Sequence, residues 1–462
     1  MTRPSPKLWS RRELLEFATK LAALGITTSL TPELIHGKGG SDLEGVTIDY
    51  WNCVGTQNEA VRSISASIIA AFEKRTGAKV NTTWDGYGGM ISGKYQANFE
   101  KGVRPTVFDA TGRWTGALRP FLRPLNDLME QAWDDEARKG MDWTLPLVEK
   151  QNQGFADAKT IYDLPFGLVP QGAVVTRMDH WGKGGIDWIK NWPIKDSIHL
   201  LSILIGLRDT GRFRQPIMAY GNVPAALDLQ IAGWARSRDL DSSTMLNADW
   251  TASSCGHPAW REAVQFYVDL GRKFKLSPPD WPETTDREAI EQFIREEKTI
   301  VYASVLRQHT LLDRIPARVA DRTVMWSLPV PLKGGQGGSM GFVDFMTLSI
   351  VKQEGPDAAV KERAAWEFIK EWFLKENQVA YANAAVLCAR TDFWPVAFDP
   401  RDRFMQVVTR LIVNSGVWPN HPRAAEIQYG LFTRHIRRAL AGEPVETVLG
   451  DYVRDVNTLL RA

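Results

Sequence analysis

Residues 46–51, Val-Thr-Ile-Asp-Tyr-Trp, are followed by a stretch at 58–76 with apolar side chains at Val61, Ile64, Ile68, Ile69 and Phe72, then by 78–83, Ala-Lys-Val-Asn-Thr-Thr. The outer two stretches have strand-like alternation and β-branched content, while the middle one repeats its apolar residues every three to four positions, as one face of a helix does. Gly77 stands where a left-handed residue would close that helix. Two strands joined through a helix need a crossover and pair in parallel, so this unit opens an α/β domain. A helix at 91–101 and an apolar strand at 105–109, Pro-Thr-Val-Phe-Asp, continue the alternation.

Farther along, 161–167 and 172–176 read as two extended segments opening a second lobe, with helices at 194–209, 223–237 and 258–274. A helix at 291–298 runs into a strand at 299–304, and 324–328 and 345–351 read as further strands. From 357 onward the pattern is helical, with helices at 358–374, 376–382, 403–413, 424–439 and 445–460. No internal repeat or low-complexity block is present.

The 462 residues suggest roughly three domains at about 150 residues each, or two large ones after non-folding segments are removed. Hydrophobic residues at 44% and charged residues at 24% exclude disorder, collagen and coiled coil. With 56 basic against 54 acidic side chains the formal charge is +2, too little to hold polyphosphate by counterion release, so nucleic acid is not an expected partner. Cys53, Cys255 and Cys388 are far apart and odd in number, which gives neither a disulfide framework nor a CxxC metal site. The seven histidines are dispersed without an HExxH pattern, so no metal is expected. Gly337-Gly-Ser339-Met-Gly341 matches the G-x-S-x-G pattern of a nucleophile elbow. It follows a Pro- and Gly-rich run and precedes a strand-like one, however, so no helix N-terminus stands behind Ser339 and no catalytic residue is assigned. No GxGxxG follows the first strand, and no cofactor is expected.

The candidate binding residues lie at the ends of the early strands: Trp51 after the first, Trp84, Asp85 and Tyr87 after the second, and Asp109, Arg113 and Trp114 at and after the third. In an open α/β sheet ligands bind outside these carboxyl ends, so the three loops should converge on one cleft. Flat rings stack on the apolar faces of a sugar, and Asp and Arg bond its hydroxyls. Trp51 or Trp114 reads equally well, one by one, as packing on a lobe surface.

Before Glu13 the only charged side chains are Arg3, Lys7, Arg11 and Arg12, and a moderately apolar run follows through Ile26. This segment resembles a twin-arginine export leader, and the run is too short and polar to span a bilayer. Glu16 stands where such leaders usually carry lysine, and no A-x-A site precedes Gly40; the alternative reading is an amphipathic N-terminal helix. Residues 34–45 read as a linker.

Several segments in order, from Val46 to Arg390, resemble the extracellular solute-binding proteins of ABC importers, in the large carbohydrate-binding class. They are 68–80 (Ile-Ile-Ala-Ala-Phe-Glu-Lys-Arg-Thr-Gly-Ala-Lys-Val), 105–109, 162–167 (Tyr-Asp-Leu-Pro-Phe-Gly), 293–304 and 364–370 (Ala-Ala-Trp-Glu-Phe-Ile-Lys). Where that family has a Gly-Gly-Trp-Gly run, this chain has Phe342-Val-Asp344-Phe345-Met346. The resemblance implies a two-lobed periplasmic-binding-protein fold, α/β, each lobe a mostly parallel sheet flanked by helices, with a helical C-terminal region. Its expected division is a leader and linker at 1–44, a first lobe at 45–158 with a return segment at about 305–370, and a second lobe at 159–304 with the helical segment 371–462. It implies a non-enzymatic, exported, periplasmic monomer that captures a sugar, oligosaccharide or polyol and hands it to an ABC permease in the membrane. Tyr162, Trp234, Ser304, Asp344 and Phe345 join the ligand-binding candidates, with core packing an equal reading for Trp234. A secreted hydrolase using an Asp/Glu pair across the same cleft is the alternative.

Overall fold

The computed structural model describes residues 41–56, 59–86, 93–185, 187, 194–212, 224–241, 244–278, 281, 283–284, 286–295, 300–304, 324–328, 330–384, 387–397 and 403–462. The leader at 1–40, Tyr87 and much of the expected return segment, 305–323, lie outside the described residues.

The opening unit forms as its periodicity dictates: β1 (Thr47–Asn52), α1 (Glu59–Thr76) and β2 (Lys79–Trp84), with β1 and β2 parallel and Gly77 at φ +72. After α2 (Lys94–Glu100), β3 (Val107–Thr111) joins the other side of β1, also parallel. The chain then crosses over through β4 (Leu164–Arg177), a single long strand where the sequence suggested two. Pro165 and Gly172 look like breakers, but the strand runs through them by shifting register between Pro165 and Gly167 and again between Gln171 and Ala173. Gly172, at φ +98, supplies the backbone conformation that the second shift needs.

Beyond β4 come α3 (Ser197–Asp209), α4 (Pro224–Arg238), α5 (Pro258–Arg272), β5 (Ile300–Ser304), β6 (Val324–Ser327), β7 (Phe342–Ile350), α6 (Ala358–Trp372), α7 (Lys375–Ala384), β8 (Leu387–Cys388), α8 (Arg403–Val413), β9 (Gly416–Val417), α9 (Thr433–Ala441) and α10 (Val445–Arg461). The described strands form one nine-stranded sheet with the central order β2-β1-β3-β7-β4-β5. Parallel pairing is confined to β1 with β2 and β3, and β7 with β9; β7 returns antiparallel between β3 and β4, and β5, β6 and β8 pair antiparallel with β4. Apart from the two-residue β7–β9 pairing, the parallel pairing among the described strands lies at the β2-β1-β3 edge.

Two large cores flank this sheet. The first gathers Tyr50, Phe72, Phe166, Phe345, Trp366, Phe368, Trp372 and Tyr381 between β1, β4, β7 and the helices α1, α6 and α7. The second gathers Trp181, Leu204, Trp234, Trp260, Tyr267, Phe432 and Tyr452 among α3, α4, α5, α9 and α10. Burying side chains of this size contributes about 1.5–3 kcal/mol each, so each lobe has the material of a stable domain. β4 and β7 pass between the cores: Phe166 and Phe345 serve the first, Val174 and Phe342 the second. The C-terminal residues contribute to both cores. Trp372, Tyr381, Leu387, Met405, Val408 and Ile412 lie in the first core, and Trp418, Ile427, Phe432 and later residues in the second. The reason is topological: β8 pairs with the first-lobe half of β4, and the chain crosses to the second lobe only after β9.

Much of the tryptophan is structural. Trp181, Trp260, Trp366, Trp372 and Trp418 are fully buried. All three cysteines are free and buried. Among the described residues no helix is long and apolar enough to cross a membrane.

Candidate functional site

The parallel register places Asn52 beside Trp84 and Trp51 beside Phe108, so the carboxyl ends of β1, β2 and β3 open at one edge. Beneath that edge lies a third, smaller apolar cluster of Cys53, Tyr95, Phe99, Phe108, Leu118 and Leu122, against which Trp51, Trp114, Phe121 and Tyr162 pack while only partly buried. The structure thus brings Trp51, Trp114 and Tyr162 onto one floor. Trp51 leans on Tyr95 and Phe99 with ring centroids 5.1 and 5.9 Å away. Trp84 is half-buried with the Arg62 guanidinium 4.8 Å above its ring, and Asp85 is held by Lys94 at 2.6 Å.

Three of the candidates, Asp109, Phe345 and Trp234, lie in the interior. Asp109 is fully buried and its carboxylate accepts hydrogen bonds from the Tyr50 hydroxyl (2.5 Å) and the Cys53 backbone N–H (2.6 Å). It pins the turn that follows β1. Phe345 is fully buried in the first core, because alternation along β7 turns it to the face opposite Asp344. Trp234 packs between Phe266 and Tyr267 in the second core, where the inner face of α4 meets α5. Ser304 ends β5 opposite Gln171.

The turn after β3 is the point where both lobes meet. Arg113, 2% exposed, directs its Nε to Asp344 Oδ2 at 3.4 Å, while its guanidinium lies 4.9 Å from the Trp114 ring and 5.9 Å from the Tyr429 ring. Trp114 and Tyr429 pack edge to face at 5.6 Å. Asp344 is buried, and burial raises its carboxyl above the ordinary range, with the Arg113 charge and a hydrogen bond from Gln171 opposing the rise. Tyr429 belongs to the second lobe, on a widened i→i+5 helical turn, Glu426–Phe432, that leads into α9. Such turns are rare and frequent at functional sites. The sequence reading missed Tyr429 because its segment has ordinary helical periodicity; Gly430 inside the run is the one local cue.

A buried polar network ties the same turn down. Asn420 of the second lobe accepts from the Gly116 backbone N–H at 2.6 Å and donates through Nδ2 to Thr115 Oγ1 (2.9 Å) and Asn152 Oδ1 (3.1 Å). Thr115 Oγ1 also lies 2.9 Å from the Gly112 carbonyl oxygen and 2.9 Å from Asp163 Oδ2. Nearby, Arg119 pairs with Asp157 at 2.8 Å and lies over Phe155 and Tyr162, and the Tyr162 hydroxyl donates to Asp157. His421 faces Trp250, and burial lowers it to about 4, so it is neutral at physiological pH. The Ser339 of the G-x-S-x-G match is 6% exposed and donates to the Gln336 carbonyl at 2.6 Å, the geometry of a turn.

An aromatic floor in one lobe, an Arg–Asp pair between the lobes and an aromatic side chain from the other lobe can grip a polar ligand with apolar faces from two sides. No family profile and no curated protein matches the chain. Solved structures do. An ABC transporter solute-binding protein from Thermotoga lettingae TMO bound with α-D-tagatose superposes with a TM-score of 0.73 at 16% identity, covering 90% of this chain and all of that one. Maltose-bound MalE3 of T. maritima gives 0.71 at 17%, with the same coverage. A solute-binding protein from Agrobacterium radiobacter K84 in complex with ribitol gives 0.69 at 18%, covering 90% and 99%. At these identities what is shared is architecture, and the chain has the two-lobed α/β fold of ABC-transporter solute-binding proteins.

Proposed function

We propose that this protein is the substrate-capturing component of an ABC importer, which binds a carbohydrate between its lobes and delivers it to a membrane permease without chemical change. The observation that carries the reading is the meeting of Arg113 and Trp114 with Tyr429 of the opposite lobe, within a fold whose solved examples hold tagatose, maltose and ribitol. Trp51, Trp84, Trp114, Tyr162 and Tyr429 supply flat apolar faces for a sugar ring or polyol chain. Asp85, Tyr87, Arg113, Ser304 and Asp344 supply hydrogen bonds to its hydroxyls. A ligand touching both lobes favours the closed arrangement by its differential affinity, and the permease reads that arrangement. In this account residues 1–44 carry the chain through the membrane by the twin-arginine route to the periplasm, where it acts as a monomer.

The test is a screen of the full chain against monosaccharides, oligosaccharides, polyols and sugar phosphates by thermal midpoint and tryptophan fluorescence. A saturating carbohydrate at about a hundredfold above its Kd stabilises by about 2.7 kcal/mol and raises the midpoint by several degrees, with the ligand recovered intact. Release of product from a glycoside would overturn the reading in favour of hydrolysis by a cleft carboxylate pair.

A further inference from the structure

Gln151 ends the helix Leu145–Gln151 at the junction of the lobes, where its backbone carbonyl accepts from the Asn420 N–H of the second lobe at 3.0 Å. Its side chain is 1% exposed, yet neither atom of its amide has a hydrogen-bond partner among the described residues. Gly112 shows where that amide points: a Cβ at 112 would lie 3.0 Å from Gln151 Oε1, 3.2 Å from Thr347 Cγ2 and 3.4 Å from Asp163 Oδ2. Glycine at 112 therefore leaves the amide facing bare main chain, one residue before Arg113. Arg113 in turn faces Asp344, whose Oδ1 is a second buried atom with no hydrogen bond among the described residues. Buried polar side chains are ordinarily hydrogen-bonded, because the bonds they made to water are otherwise lost without return. Two such side chains at the turn that carries Arg113 and Trp114 point to a polar occupant from outside the chain.

We propose that Gln151 is a specificity-determining residue whose amide reaches past Gly112 to neighbouring hydroxyls of a neutral sugar or polyol, donating to one and accepting from the other. The inference deepens the proposed function and rests on it. An amide has two N–H donors and a carbonyl acceptor, whichever way it is turned, and a hydroxyl both gives and takes a proton. The two therefore match without any charge being brought into the junction.

The charges around the turn favour a neutral ligand. Arg113 stands opposite Asp344 at 3.4 Å and Arg119 opposite Asp157 at 2.8 Å, so each of these cations already faces a carboxylate. Asp163 adds a further acidic side chain beside Gly112. A phosphate or carboxylate placed against Gln151 would be a buried charge next to acidic groups, which costs far more than burying a hydroxyl that finds its hydrogen bonds. The sequence gives no sign of this role, because Gln151 falls in the polar run Glu149-Lys-Gln-Asn-Gln153 and only the fold buries it.

Gln151→Met keeps the length of the side chain and removes its hydrogen-bonding atoms, and two readouts on the full chain test it. Without ligand, its thermal midpoint should equal or exceed that of the wild type, because an amide with no partner in the chain gives nothing to stability. A variant that melts several degrees lower, or does not fold, would show that the amide serves the chain's own structure and would overturn the inference. With ligand, calorimetric titration uses maltose, D-tagatose and ribitol as neutral probes and glucose 6-phosphate and glucuronate as anionic ones, beside the other carbohydrates of the screen. A neutral probe should bind the wild type, and Gln151→Met should bind it about tenfold or more weakly. Deoxy analogues of that probe add a readout that a structural role would not move: one of them should bind the wild type about tenfold more weakly than the parent, and Gln151→Met should not tell the two apart. Unchanged affinity in Gln151→Met, or an anionic probe preferred to every neutral one, would sink this inference and leave the proposed function standing. No binding of any carbohydrate by the wild type would overturn the proposed function, and this inference with it.

Discussion

Arg113→Leu should cost about 3–5 kcal/mol of stability, because it leaves the Asp344 carboxyl buried beside an apolar side chain in place of its opposing charge. Asp344 is 3% exposed and its Oδ1 has no hydrogen-bond partner among the described residues, so without the guanidinium the hydrogen bond from Gln171 is left to hold a buried carboxylate. Burial already raises the Asp344 carboxyl, and removing Arg113 raises it further, so the variant can escape part of the cost by taking up a proton. The loss should therefore be smaller at about pH 5 than at about pH 8, since a raised carboxyl contributes stability that disappears as pH rises through its folded value. Denaturant unfolding at the two pH values measures it. The double variant Arg113→Leu with Asp344→Leu should recover most of the stability, as apolar replacement of a whole buried pair usually does, yet should not recover ligand affinity. Equal losses in the single and double variants would contradict the pairing.

Gly116→Val should separate the lobes at their junction. A Cβ at Gly116 would fall inside the contact radius of the Asn420 backbone carbonyl oxygen, which is main chain and cannot swing aside. Forcing extra volume into a packed site costs about 1–3 kcal/mol, and displacing Asn420 also strips its bonds to the Gly116 N–H, Thr115 and Asn152, at about 1 kcal/mol each. The combined loss of about 4–6 kcal/mol would appear as a lower unfolding midpoint together with weakened ligand binding. Gly450→Ala is the control: it sits in α10 with open space at its Cβ position and should be neutral or stabilising by about 1 kcal/mol. A Gly116 variant with native stability would show that the turn does not dock on Asn420.

What was legible in the sequence was what local periodicity governs. The β1–α1–β2 unit, Gly77 and the helix at 403–413 needed only side-chain spacing and one left-handed residue. That Trp51 and Trp114 share one edge was legible because parallel pairing forces those strand ends together. The continuity of β4 was hidden by Pro165, Pro170, Gly167 and Gly172, residues that break strands unless bulges absorb them. The destination of α7 was hidden because one amphipathic helix packs on either core equally well, and only the pairing of β8 with β4 decides it. The junction was least visible. Asn420, Asn152, Thr115 and Asp163 are four unremarkable polar residues from three separate segments, and burial alone turns them into one network.

The most direct measurement is titration calorimetry of the full chain with the carbohydrate that the screen selects, followed by mass analysis of the recovered ligand. The account predicts one-to-one binding, unaltered ligand, and at least about a tenfold loss of affinity, equivalent to about 1.4 kcal/mol, in Tyr429→Ala. Altered ligand, the absence of heat with every carbohydrate, or a Tyr429→Ala variant that binds as tightly as the wild type would contradict it.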